Sequence, residues 1–154
     1  MSQIEKRLEQ LGIQLPAAPK PMFTYVPCNR TGNLLYLSGQ DCRIDGVLMY
    51  EGKLGQDLTI EQGQAAAKQT IINCLAVLKD YLGDLDRVVK IVKMLGLVNS
   101  APGFADQPYV INGASDFLVE VFGESGKHAR SAIGTNELPF RTPVEIEIIA
   151  EIRD

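Results

Sequence analysis

A strand that is apolar on both faces places the strongest constraint on how this chain folds. Residues 87–98 read RVVKIVKMLGLV, and the β-branched residues at the start of this run favour a strand. Alternate residues of a strand point to opposite faces, yet here both sets are rich in aliphatic side chains. These sets are Val89, Ile91, Leu95 and Leu97 at the odd positions, and Val88, Val92, Met94 and Val98 at the even positions. A sheet with helices on one face normally has a solvent-exposed, polar opposite face. Because both faces of this strand are apolar, we expect a second copy of the chain to cover the face that the helices leave open.

The other elements are predicted from capping signals, apolar spacing and turn residues. Thr59 and Gln62 form a capping box, after which apolar side chains recur on one stripe until Gly83 ends the helix. The remaining predicted elements are a helix over 2–12 with a Ser2–Glu5 capping box, a helix over 107–122 with Asp106 as its N-cap, strands over 22–26, 33–39, about 129–137 and 143–152, and a brief strand around 47–50.

This order of elements predicts an α+β protein in which a sheet packs against helices on one side. The chain has 154 residues, enough for one domain. We expect residues 22–154 to form that domain, and residues 1–21 to form an N-terminal helix followed by a proline-rich connector.

The composition argues against most metal, nucleophile and nucleic-acid chemistry. One histidine and three widely spaced cysteines do not supply the clustered ligands of a zinc site. The net charge is −4 and the basic residues are scattered, so we expect no nucleic-acid partner. There is no apolar run near the ~18 residues of a membrane span and no signal-peptide pattern, so we expect a cytoplasmic protein with no membrane partner.

Few side chains remain that could carry chemistry, and each has two interpretations. Arg130 has a structural role, as an exposed charge or in a buried ion pair with a glutamate on the neighbouring strand, or its planar guanidinium binds a carboxylate through two hydrogen bonds. Glu145 and Glu147 oppose the apolar side of the last strand, where they serve acid–base chemistry or form a solvated face. The single histidine, His128, is interpreted as structural or solvent-facing. The three cysteines are interpreted as small apolar residues: Cys28, Cys42 and Cys74. Residues 123–126 are interpreted as a plain loop.

The run HARSAIGTNELPFRTPVEIE, residues 128–147, resembles the signature of the YjgF/RidA family of enamine and imine deaminases. The signature places an arginine first, then Leu-Pro, then a Val-Glu-Ile-Glu strand. Further matches in order and spacing are Tyr25-Val26, Gly32-Asn33, Ser38-Gly39-Gln40 and Ile111-Asn112. The resemblance covers about residues 22–152.

The resemblance implies a chorismate-mutase-like α+β fold with a mixed sheet and two long helices on one face. It also implies a homotrimer whose sheets form a central barrel, with clefts between subunits. The implied activity is hydrolysis of reactive α-imino acids such as 2-aminoacrylate, without a metal or a cofactor. Arg130 would bind the substrate carboxylate, Glu145 would assist water, and the backbone carbonyl of Ala132 would help to orient that water. The cleft would be lined by Tyr25, Gly39 and Asn112.

Some segments depart from the family pattern, and two other functions stay open. Residues 1–21 extend beyond compact members, residues 41–58 are longer than the usual loop, and Ala132 stands where deaminases often have Cys. The segment FADQPYVINGASDF, residues 104–117, indicates a separate branch of the family. The first alternative is a non-catalytic module that binds small carboxylates or metabolites. The second is an endoribonuclease, a name that some family members carry, although the acidic charge and the single histidine argue against it.

Overall fold

Helices cover one side of a five-stranded sheet in the computed structural model, which describes residues 2–154. Met1, the first residue of the expected N-terminal unit, lies outside the described residues. The elements are α1 (Gln3–Gln10), β1 (Cys28–Thr31), β2 (Leu34–Leu37), β3 (Arg43–Ile44), β4 (Val47–Leu48), α2 (Ile60–Leu82), β5 (Val88–Asn99), α3 (Gln107–Phe122), β6 (Ala129–Thr135) and β7 (Val144–Ile152).

The strand order in the main sheet is β1-β2-β7-β5-β6, and β3 and β4 form a separate small hairpin. Strands β5 and β6 are parallel, whereas the other neighbouring strands are antiparallel. A parallel pair needs a crossover, and α3 supplies it. The α+β prediction is confirmed, with a mixed sheet in one layer and helices in the other.

Local signals predicted the two long helices well. The capping box of Thr59 and Gln62 is present, and Gly83 ends α2 in the left-handed conformation at φ 75°. Helix α3 has the predicted bounds, but the side chain of Asp106 makes no capping hydrogen bond. No helix within residues 2–154 has the length and apolarity to cross a membrane.

The N-terminal helix α1 is capped differently from the prediction. Ser2 accepts a hydrogen bond from the backbone N–H of Glu5, but the Glu5 carboxylate pairs with Lys79 on α2. The amides of Gln3 and Ile4 donate to the carboxylate of Asp86 at 2.8 and 2.9 Å. The local pattern predicted the contribution of Ser2 to this cap but not that of Asp86, because Asp86 is more than 80 residues away in the sequence.

The predicted strand over 22–26 is wrong, because the first strand starts at Cys28. Strand β1 pairs with β2 across a tight turn at Gly32 and Asn33, where Gly32 has φ 57°. This register places 28–31 opposite 34–37, and the segment 22–26 falls outside the sheet. The aliphatic and aromatic residues of that segment suggested a strand, but pairing across the turn decides which residues form it.

Strand β5 interrupts its alternation twice, which changes which of its side chains are buried. Its register with β7 shifts between Val88 and Lys90 and again between Ile91 and Lys93. The buried side chains of β5 face the helices: Val88, Ile91, Met94 and Val98. The half-buried ones lie on the other side: Val89, Val92, Leu95 and Leu97. We call the side under α2 and α3 the helix face, and the opposite side the open face. Bulges of this kind cannot be read from alternation alone.

Candidate functional site

Glu145 lies on the open face of β7 beside a glycine that leaves room for it. The backbone of Gln40 pairs with Ile146 in both directions, at 2.9 and 3.0 Å, and this pairing holds Gly39 next to Glu145. A Cβ atom at Gly39 would lie 3.1 Å from the Cγ and Cδ atoms of Glu145. Glycine at this position therefore permits close contact between the backbone and the carboxylate.

The surroundings of Glu145 favour its protonated form. Partial burial raises the pKa of the Glu145 carboxyl above its ordinary value, and the nearby charges of Asp41 and Glu147 raise it further. Asp41 forms an ion pair with Arg43, with 3.0 Å between Oδ2 and Nε. Within residues 2–154, Glu145 takes part in no ion pair. A half-buried carboxyl with a raised pKa holds its proton more tightly than an exposed one, which suits it to proton exchange.

Tyr25 lies close to this region on an exposed segment. Ser38 anchors the segment, since its hydroxyl donates to the carbonyl of Val26 at 2.6 Å. A shallow cleft of about 630 Å³ lies between this segment and the open face, and Tyr25, Ser38 and Glu147 are among its lining residues. Glu145 is not among them. We call Tyr25, Gly39 and Glu145 the glutamate half of the candidate site.

Arg130 is held on the opposite side of the sheet by helix α3. Its Nη1 donates to Ser115 Oγ at 3.0 Å, and its Nη2 donates to the carbonyl of Pro108 at 3.2 Å. A guanidinium has five N–H donors, so three remain after these two bonds. In residues 2–154 Arg130 makes no ion pair, and it keeps enough donors to bind a carboxylate.

Ala132 and Asn112 lie near Arg130. Ala132 is two residues along β6, so its side chain points to the same face as that of Arg130, and it pairs with Gly96 of β5. A Cβ at Gly96 would lie 2.8 Å from Ile111, so α3 packs directly against the sheet here. Asn112 is four residues after Pro108 and three before Ser115, which places all three on one stripe of α3. We call Arg130, Ala132 and Asn112 the arginine half of the candidate site.

The structure does not bring the two halves together within one chain. Arg130 is the register partner of the fully buried Met94, which points to the helix face. Glu145 is the register partner of Leu97, which points to the open face. Because β5 is regular between Met94 and Leu97, an odd spacing puts Arg130 and Glu145 on opposite faces.

Sequence reasoning missed the residues that hold Arg130. Ser115 accepts from Arg130 and also lies 2.9 Å from His128 Nε2, so the histidine has a defined partner. The spacing of Pro108, Asn112 and Ser115 along one stripe is the signal that was available. Asp41 was also missed, and no motif marks it. Among residues 2–154, no group of three or more His, Cys, Asp or Glu side chains is placed to hold a metal ion.

Comparisons with known proteins connect these residues to one family. Residues 5–152 match the family described as "YjgF/chorismate mutase-like, putative endoribonuclease". Protein TCP17 of Trypanosoma cruzi is 43% identical over 98% of this chain and 95% of its own length. The 2-iminobutanoate/2-iminopropanoate deaminase of Dermatophagoides farinae is 29% identical over 91% of this chain and 94% of its own length.

A crystal structure gives the same result for the fold. Atu1372 of Agrobacterium tumefaciens, a protein of unknown function, superimposes with a TM-score of 0.91 at 44% identity, covering 97% of this chain and 92% of that one. The mixed sheet, the helices on one face and the family match over nearly the whole chain agree with the resemblance seen in the sequence. This chain is a member of the YjgF/chorismate mutase-like family.

Proposed function

We propose that this protein hydrolyses reactive α-imino acids, such as the imine tautomer of 2-aminoacrylate, to 2-oxo acids and ammonia. The observation that carries the proposal is the guanidinium of Arg130, which two acceptors from α3 hold in place while three N–H donors stay available. An α-imino acid is planar and carries a carboxylate, which a planar guanidinium binds through two parallel hydrogen bonds. The deaminase name of the relative from Dermatophagoides farinae supports this substrate class.

The proposed chemistry needs water and proton transfer. Water adds to the imine carbon, its oxygen forms the new C–O bond, and the C–N bond then breaks to release ammonia. As the water adds, Glu145 takes one proton from it and passes that proton to the imine nitrogen. As the C–N bond breaks, Glu145 takes the second proton from the new hydroxyl group and passes it to the leaving nitrogen, a role that its raised pKa suits. The carbonyl of Ala132 orients the water, and Tyr25, Gly39 and Asn112 line the cleft.

We propose further that the complete site forms between two copies of the chain in a homotrimer. The arginine half and the glutamate half lie on opposite faces of one sheet, so the halves that meet must come from different copies. The open face offers half-buried Leu95 and Leu97 and the exposed Ile133 for such contact. Burying these side chains against another copy removes apolar area from water.

A complementation experiment tests both parts of the proposal. The substrate imine is generated in situ by an amino-acid oxidase, and release of the 2-oxo acid is followed with and without the protein. Arg130→Ala and Glu145→Gln chains alone are each expected to keep no more than about a tenth of the wild-type activity. When equal amounts are mixed and subunits exchange, about a quarter of the sites combine an intact arginine half with an intact glutamate half. Activity near a quarter of the wild-type rate is therefore expected.

The outcomes separate the candidate functions. If the mixture is no more active than the separate chains although they exchange subunits, the two halves do not meet between copies. If the wild-type protein binds a small carboxylate saturably but accelerates no imine hydrolysis, it is a binding module. Cleavage of RNA that persists in highly purified Arg130→Ala and Glu145→Gln proteins would instead favour the endoribonuclease name carried by the family description.

A further inference from the structure

Arg130 is the last member of a chain of hydrogen bonds that the proposed reaction does not use. His128 Nδ1 lies 2.7 Å from the carbonyl oxygen of Gly126, and His128 Nε2 lies 2.9 Å from Ser115 Oγ. Ser115 Oγ in turn accepts from Arg130 Nη1 at 3.0 Å. One serine hydroxyl therefore joins the histidine to the guanidinium.

The direction of each hydrogen bond follows from the two ends of this chain. A backbone carbonyl only accepts, so Nδ1 of His128 carries a hydrogen and, in the neutral ring, Nε2 is an acceptor. The hydroxyl of Ser115 must then donate to Nε2. A guanidinium only donates, so the lone pairs of Ser115 remain for Arg130. Every group in the chain has a compatible role.

A second acceptor near Ser115 shows why the histidine is needed. Met94 Sδ lies 3.8 Å from Ser115 Oγ and would accept the hydroxyl hydrogen if His128 were absent. A thioether is a weak acceptor, so the imidazole nitrogen is the stronger of the two. Without His128, the hydroxyl would turn towards this weaker acceptor, and the lone pairs that face Arg130 would change direction.

We propose that Ser115 is a positioning residue for Arg130, and that His128 sets the direction of the Ser115 hydroxyl. This inference rests on the proposed function, because it takes Arg130 as the group that binds the substrate carboxylate. Ser115 and the carbonyl of Pro108 hold the guanidinium at two of its nitrogens. A long side chain that is immobilised in advance loses less entropy when the substrate binds, so the effect falls on affinity and not on the chemical step.

Kinetics of matched variants test this role. Ser115→Ala is expected to raise KM roughly tenfold and to change kcat less than about twofold, because uniform binding is lost. Ser115→Thr keeps the hydroxyl and is expected to restore KM to within about threefold of wild type. His128→Ala is expected to raise KM about threefold. Ser125→Ala, in the turn before β6, is the control and is expected to leave both constants unchanged.

The double variant distinguishes positioning from two separate structural effects. If His128 acts through Ser115, then Ser115→Ala with His128→Ala has the same KM as Ser115→Ala alone. Effects that multiply would overturn the assignment to His128. A KM for Ser115→Ala that equals the wild-type value would overturn the assignment to Ser115, while the proposed function would still stand.

A readout independent of turnover keeps this test separate from the proposed function. Nitrogen NMR of the Arg130 guanidinium is expected to show distinct, slowly exchanging Nη signals in the wild-type protein and averaged signals in Ser115→Ala. Pyruvate serves as the binding probe, and wild-type protein that neither binds pyruvate nor hydrolyses imines contradicts the proposed function. The Nη signals then still decide whether Ser115 immobilises Arg130. If Ser115→Ala does not fold, His128→Ala takes its place, and unchanged Nη signals in that variant would contradict the inference.

Discussion

Arg130 and Glu145 lie on opposite faces of one sheet, and the chain surrounds them differently. The guanidinium of Arg130 donates to Ser115 and Pro108 of α3, so two of its directions are fixed before any ligand binds. The carboxyl of Glu145 is half-buried beside Gly39 with Asp41 and Glu147 nearby, and its charge has no cation partner within residues 2–154.

In the proposed site, this difference would separate Arg130, a binding group held in place before the substrate arrives, from Glu145, a group that takes part in the reaction. A guanidinium that is hydrogen-bonded to its own chain is held in position, and it binds a carboxylate without exchanging protons. Ionisation of a partly buried carboxyl near other acids is unfavourable, so its charged form is stabilised when a proton or a hydrogen-bond donor from outside binds to it. In the proposed site, the arginine half would orient the substrate and the glutamate half would transfer protons. The following predictions test that division of roles.

Arg130→Lys is expected to cause the largest loss. Lysine keeps the positive charge but has neither the planar fork nor the geometry to reach both Ser115 and Pro108. We expect kcat/KM for imine hydrolysis to fall about 100- to 1000-fold, the range for losing charge-assisted hydrogen bonds to a bound carboxylate. Arg30→Lys, on the surface pair with Asp154, is the control and should keep full activity. A loss below threefold in Arg130→Lys would show that charge alone is sufficient.

Glu145→Gln is expected to lower kcat by about 10- to 100-fold while KM changes little, because the carboxyl acts in proton transfer. The pH profile provides a second measurement. If ionised Glu145 is the base, wild-type kcat rises with pH through the pKa of this carboxyl, which lies above its ordinary value. Glu145→Gln should lack that rise. A variant that keeps both the wild-type rate and the rise would assign the proton transfer to another group.

Gly39→Ala is expected to have an intermediate effect on the glutamate half alone. The added Cβ would lie 3.1 Å from the Cγ and Cδ atoms of Glu145 and would push the carboxyl away by a few tenths of an ångström. We expect kcat to fall about five- to tenfold, since small displacements of a catalytic group are costly. In a Glu145→Gln background, the same substitution should cause no further loss. An equal loss in both backgrounds would mean that Gly39 acts independently of Glu145.

The smallest expected effect is on stability. The pKa of Glu145 is raised in the folded protein, so the folded state binds its proton more tightly than the unfolded chain does. Stability therefore falls as pH rises from the ordinary carboxyl pKa to the folded one, and the full penalty remains above it. Glu145→Gln removes the penalty and is expected to raise Tm by about 1–3 °C at pH 8.

The same measurement at low pH supplies the control for this sign. Well below the ordinary pKa of a glutamate carboxyl, where Glu145 is protonated in both the folded and the unfolded state, wild-type and Glu145→Gln proteins should melt at the same temperature. A lower Tm for the variant at pH 8 would show that ionised Glu145 stabilises the fold, and Glu145 would then have a structural role.

Elements with local signals were predicted well from the sequence. The capping box at Thr59, the left-handed glycine at 83 and the apolar stripe between them depend on residues within a few positions of one another. The alternation of β7 also predicted its buried side correctly, since Val144, Ile146, Ile148, Ala150 and Ile152 are all buried. Elements whose limits depend on a distant partner were predicted less well, as the misplaced first strand and the bulges of β5 show.

For the candidate site, the sequence supplied the residue types but not their arrangement. Arg130 and Glu145 were singled out by residue type and strand position, and the resemblance to family motifs added their roles and Gly39. None of these signals records how the two strands are placed relative to each other. Ser115 and Asp41 were not identified, because their roles come from contacts with residues far along the chain.

By itself, the sequence determined the fold class and the two long helices. Periodicity and capping depend on residues that are close together in the chain, so the sequence alone reveals them. Only the tertiary structure decided that Arg130 and Glu145 point to opposite faces, and that Arg130 is held by Ser115 and Pro108. The physical reason is strand register: a shift of one residue reverses every side chain, and register is set by pairing across the whole sheet.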